Sequence, residues 1–120
     1  MEPKDLVSKI LSASRSIRYV AVVGPAPEYA LLESRMKTGV ASLTSEKTDR
    51  EFVQMIPKVF GPAEDLQKDL GEIAYVVIRY QKVALTSFRA LGYTVTVSVE
   101  PDIPIYPIYD RIQKALELSR

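Results

Sequence analysis

The sequence predicts an α+β fold, with one five-stranded antiparallel sheet covered by helices on both faces, and three observations carry that expectation. First, residues 73–80, 83–89 and 93–99 are β-branched and aromatic runs joined only by Gln81-Lys82 and Ala90-Leu91-Gly92. Connections of two or three residues leave no room for a crossover helix, so these runs form an antiparallel meander. Second, residues 44–71 hold the longest helical pattern, with Phe52, Ile56, Val59, Ala63, Leu66 and Leu70 recurring at intervals of three and four. Third, Leu6, Val7, Ile10 and Leu11 near one end, and Ile105, Ile108, Ile112, Ala115 and Leu116 near the other, form the apolar stripes of two terminal helices.

In chain order, Pro3 suits the first turn of the N-terminal helix, which is expected to end among Ser12, Ser14 and Ser16. Residues 17–23 follow as a strand, stopped by Gly24-Pro25-Ala26-Pro27, where two prolines forbid regular ladder bonding. Residues 29–35 are the return strand, and a loop turns about Gly39. Thr48 and Glu51 have capping-box spacing for the long helix, with Ser45 able to start it a turn earlier. Pro57 and Gly61-Pro62 are expected to kink or split that helix, since an interior proline costs about 3 kcal/mol. A break is placed near residues 60–62, with Pro62, Glu64 and Asp65 in the first turn of a second piece that ends at Gly71. In the meander, Tyr93, Val95, Val97 and Val99 alternate with Thr94, Thr96 and Ser98, whereas residues 73–80 are apolar on both faces and need cover on both. Pro104 and Pro107 belong to the entry turn of the last helix.

A chain of 120 residues that is 47% apolar is sized for a single domain, residues 1–120, with one core. Sixteen basic against fifteen acidic residues leave a net charge of +1, so no field draws it to nucleic acid or an anionic membrane. Cysteine and histidine are both absent, which excludes disulfides, the usual zinc ligands, thiol nucleophiles and a Ser-His couple. No apolar run approaches the roughly 18 residues of a membrane span, and Met1-Glu2-Pro3 opens no basic-then-apolar leader, so a cytoplasmic protein is expected.

Glycines at 24, 39, 61, 71 and 92 match neither a phosphate loop nor a dinucleotide fingerprint. The pairs Asp49/Glu51 and Glu64/Asp65 are better read as helix-end charges than as acid-base couples. Arg15, Arg18, Arg35 and Lys37 near the first hairpin are read as a solvated rim before an anion site. Tyr75, Tyr80 and Tyr93 suit half-buried strands better than base stacking, because Arg79, Lys82 and Arg89 do not form a basic cluster around them. The expectation is therefore a non-enzyme with no catalytic residue, no metal and no cofactor.

The order α-β-β-α-β-β-β-α, with these connection lengths, resembles the roadblock/dynein light chain family and its profilin-like relatives over nearly the whole chain. The segments Ser16-Ile17-Arg18-Tyr19, Glu46-Lys47-Thr48-Asp49 and Val99-Glu100-Pro101-Asp102 also look like small archaeal proteins of that build. The resemblance implies strand order 2-1-5-4-3, a long proline-kinked helix on one face and both terminal helices on the other. Two departures stand out: Gly24-Pro25-Ala26-Pro27 occupies a turn where an Asp-Gly pair is common, and Pro57 and Pro62 lie in the long helix.

In that strand order residues 73–80 form an edge, and an apolar edge without proline needs a partner. With Phe52, Ile56, Val59 and Leu66 assigned to the core, Val53, Met55 and Phe60 are left for a second face. The expected interface is thus Val53, Met55, Phe60, Tyr75, Val77 and Tyr80, closing a symmetric homodimer. The expected role is a scaffold or regulator for another protein, such as a small GTPase. The alternative is a small-molecule-sensing domain of profilin-like topology, which needs an enclosed cavity with inward polar groups between the long helix and the sheet.

Overall fold

A computed structural model describes residues 1–117 and, at position 46, the backbone alone. The elements are α1 (Pro3–Ala13), β1 (Ile17–Val23), β2 (Leu31–Met36), α2 (Glu46–Glu64), a single turn α3 (Gln67–Leu70), β3 (Val76–Arg79), β4 (Ala84–Ala90), β5 (Tyr93–Val99) and α4 (Ile105–Glu117). The five strands form one antiparallel sheet in the order β2-β1-β5-β4-β3.

Alternation along the strands gives the sheet two unlike faces. Val20 and Val22 of β1, Ala84 and Phe88 of β4, and Val95, Val97 and Val99 of β5 pack with Leu6, Val7 and Ile10 of α1 and Ile105, Ile108 and Ile112 of α4. This is the larger core, and it places both terminal helices on one face. Tyr109 of α4 closes it with ring contacts to Tyr75 at 4.8 Å and to Phe88 at 5.5 Å. The opposite face presents Tyr19, Ala21 and Val23 of β1 but Thr94, Thr96 and Ser98 of β5, and α2 lies over it through Val53, Ile56 and Phe60.

Two tight turns fix the meander. Leu91 and Gly92 both have positive φ (54° and 84°), the requirement of a two-residue hairpin turn whose twist matches the strands. Tyr80 N–H donates to the Val83 carbonyl at 2.8 Å and closes the β3–β4 end. The first hairpin is longer: β2 starts at Leu31 rather than 29, because Tyr29 has φ 49°, outside the extended backbone of a strand.

The long helix starts at the earlier of its two expected caps and departs from expectation in where it breaks. Its cap is Ser45, whose Oγ accepts from Thr48 N–H at 3.1 Å, and it runs unbroken through Pro57 and Pro62 to Glu64. Val53 and Ile56 precede Pro57 and Phe60 follows it, all in one buried phase, so burial on both sides outweighs the missing backbone bond. The break falls at Asp65-Leu66, before α3, and Gly71 with φ 87° ends that turn. Glu64 therefore ends α2 instead of starting a second piece. There the helix dipole disfavours a negative charge, and Arg89 offsets it with contacts of 2.7 and 3.1 Å.

Candidate functional site

The buried stripe of α2 is rotated from the expected one. Val53, Ile56 and Phe60 are buried, whereas Met55, Val59 and Leu66 are exposed and Leu70 is 78% accessible. Of the six residues expected at an interface, Val53 and Phe60 therefore belong to the protomer's own core. Tyr75 turns to the opposite layer, under Tyr109. Met55, Val77 and Tyr80 remain at the surface. The physical reason is that Phe52 and Ile56 are common to both possible stripes, and Phe60, one position beyond Val59, reaches the sheet and lies 4.8 Å beneath the Arg89 guanidinium.

The result is an outer apolar line of Met55, Val59, Leu66 and Leu70 along α2 and α3. At the sheet's edge, β3 is a bare strand of four residues, with Val77 and, just past the strand, Tyr80 exposed. Its arginine does not guard that edge: Arg79 donates to the carbonyls of Pro101 at 2.7 Å and Ile103 at 3.1 Å, at the entry to α4.

A cleft of about 640 Å³ lies beneath the N-terminal half of α2, between the long helix and the sheet, where the small-molecule-sensing alternative puts its pocket. Phe52 and Val53 roof it, Tyr19, Leu85, Thr96 and Ser98 floor it, and Leu43 and the turn residues Tyr80, Gln81 and Lys82 stand around it. Phe52 and Tyr80 meet edge to face at 6.4 Å. The signal in the sequence was the hydroxyl row Thr94, Thr96, Ser98: hydroxyls on a sheet face that a helix covers do not fill the layer as aliphatic side chains do.

Several of the charged groups considered from sequence are engaged in contacts within the fold. Arg18 bonds Glu100 at 2.5 Å and the Ala41 carbonyl at 3.1 Å, Arg35 reaches Ser8 at 3.0 Å, and Lys37 reaches the Ser14 carbonyl at 2.7 Å. Asp49 accepts from the Thr44 hydroxyl. Burial pushes the Tyr19 phenol above its ordinary pKa, the hydrogen bond with Ser34 pulls it partly back, and Asp49 raises it again. The phenol is protonated in both folded and unfolded chains until the unfolded one ionises near pH 10, so this contribution is intact below about pH 10 and is lost as pH rises through the higher folded value. Urea midpoints measured between pH 9 and 11 are expected to fall more steeply for the parent chain than for Tyr19→Phe.

Among the described residues, no three or more Asp or Glu side chains gather as a metal site, and no helix is long and apolar enough to cross a membrane.

No family model matches the sequence, and no curated protein matches it. Solved structures do match. A roadblock/LC7 domain from Streptomyces avermitilis aligns with TM-score 0.70 at 7% identity, over 100% of this chain and 96% of that one. The gliding protein MglB from Thermus thermophilus aligns with TM-score 0.70 at 12% identity, over 96% of this chain and 83% of that one. An MglB in a tetrameric arrangement gives TM-score 0.70 at 13% identity, over 97% and 83%. With its strand order and helix placement, this chain has the roadblock/LC7 fold.

Proposed function

We propose that the chain is a non-enzymatic interaction module, a single roadblock-like unit that works in the cytoplasm as a symmetric homodimer and as a scaffold or regulator of another protein. The observation that carries this reading is the coincidence of a bare, partly apolar edge strand, β3, with an outer apolar line on α2 and α3. Exposed apolar side chains on an open strand edge and along one helix line are the features by which a small protein marks a contact site. The tetrameric MglB shows that a chain of this fold assembles with copies of itself. Of the carboxylates weighed for acid-base work, Glu64 is held by Arg89 and Asp49 accepts from the Thr44 hydroxyl, which supports the non-enzymatic reading.

A small GTPase is the partner class that the roadblock resemblance implies. Purified small GTPases, loaded with GDP or a non-hydrolysable GTP analogue, are to be titrated with the chain by fluorescence anisotropy. Saturable binding that differs between the two nucleotide states is expected. Absence of binding in both states across the panel removes the GTPase from the reading.

A further inference from the structure

We propose that the cleft beneath α2 binds a small, uncharged, predominantly apolar molecule through a hydrogen bond to Ser98. The inference is separate from the protein-contact face and stands on its own observations. A volume of about 640 Å³ falls within the range of roughly 300–1,000 Å³ typical of small-molecule sites. The walls are mostly apolar, with the rings of Phe52 and Tyr19 and the aliphatic side chains of Val53 and Leu85 facing the space.

The second, independent observation is the floor. Ser98 lines the cleft with only 6% of its surface exposed, and its hydroxyl makes no hydrogen bond to any described residue. Its neighbour Thr96 is different, because Thr96 Oγ1 is already shared with Ser87 Oγ at 2.8 Å. The Ser98 Oγ is open to the cleft, where a ligand's carbonyl or hydroxyl can take the place of water as its partner. Thr86 also holds an unpartnered hydroxyl, but it does not line the cleft.

The charges around the space specify a neutral occupant. Arg18 is neutralised by Glu100 at 2.5 Å, Asp49 is held by Thr44, and Lys82 is exposed at the turn, where water screens it. An anion in the cleft would lose its hydration beside the Asp49 carboxylate, and a cation would be met only by that half-buried carboxylate, where water screens the attraction. An apolar body with one hydrogen-bonding group loses nothing of that kind.

Nile red, an uncharged apolar dye with a ring carbonyl, serves as the probe, titrated into the full chain and read by fluorescence. Saturable binding at one dye per chain is expected. Leu85→Trp fills the cleft and is expected to weaken binding at least ten-fold, with the thermal melt showing that the variant remains folded. If that variant does not fold, Leu43→Trp takes its place, because Leu43 is half exposed on the loop beside the cleft. Ser98→Ala is expected to weaken binding about three- to ten-fold, the loss of one hydrogen bond. Absence of saturable binding, or full affinity in a folded cleft-filling variant, overturns the proposal. The latter result would place the dye on the exposed apolar line of α2 and α3. Parent affinity in Ser98→Ala overturns the role of the hydroxyl.

Discussion

Phe60→Ala is expected to destabilise the chain by about 3–5 kcal/mol, and Val59→Ala, one residue earlier on the same helix, by less than about 1 kcal/mol. Phe60 is fully buried between α2 and the sheet, so truncating its ring removes apolar burial and leaves a cavity that a helix fixed at both ends closes poorly. The same ring supports the Arg89 guanidinium at 4.8 Å, and Arg89 holds Glu64 at 2.7 Å, so the substitution also loosens the contact that neutralises the end of α2. Val59 is 39% exposed, and its methyl groups make a much smaller contribution. Against a total stability of roughly 5–15 kcal/mol for a domain of this size, the Phe60 loss is a large share. Urea unfolding followed by circular dichroism reads both variants. Equal losses, or a larger loss at Val59, would show that the helix is seated in the other phase.

That comparison also shows how far the sequence could be read. The antiparallel meander was legible because short connections and a period-two pattern admit few solutions, and the terminal helices because their apolar stripes recur at three and four, whereas the strand order came from the roadblock resemblance. The phase of α2 was not. Phe52 and Ile56 satisfy a stripe that continues through Val59 and equally one that continues through Phe60, and the two stripes differ by a rotation of one residue, about 100°. The sheet decides between them: Phe60 fits beside Arg89, whereas Val59, Leu66 and Leu70 are left outside. The prolines misled for a related reason, because the cost of an interior proline was weighed without the buried residues on either side of it. Tyr29 gave no warning of its positive φ, which moved the start of β2 by two residues. The cleft depends on how far α2 stands from a row of hydroxyls, a distance no pattern of residue types encodes.

The rotation of α2 changes which residues can join two copies, and it leaves the edge strand as the sharper test. In the antiparallel β3–β4 ladder, Tyr80 N–H points inward to Val83 at 2.8 Å, and the register pairs Ile78 with Leu85 and Val77 with Thr86. Inward and outward bonding alternates along the strand, so Ile78 and Val76 share the inward sense of Tyr80, while Val77 and Arg79 present their N–H groups to the open side. Val77→Pro therefore removes a donor from the free edge and leaves the β3–β4 ladder whole, and the ring obstructs an incoming strand. In a two-fold symmetric contact every lost bond is lost twice. At about 1 kcal/mol per bond, the dimer is expected to weaken by at least about 30-fold. Ile78→Pro is the internal contrast: it removes an inward donor and is expected to unfold the strand's end of the sheet. A strand pair together with a helix pair can reach the roughly 1,200–2,000 Å² of a stable interface. Light scattering after size exclusion is expected to give twice 13.4 kDa for the parent chain and 13.4 kDa for Val77→Pro at micromolar concentration. A parent chain that stays at 13.4 kDa across a hundred-fold range of concentration would end the homodimer proposal, and a Val77→Pro variant that stays dimeric would move the contact from the edge to the outer line of α2 and α3.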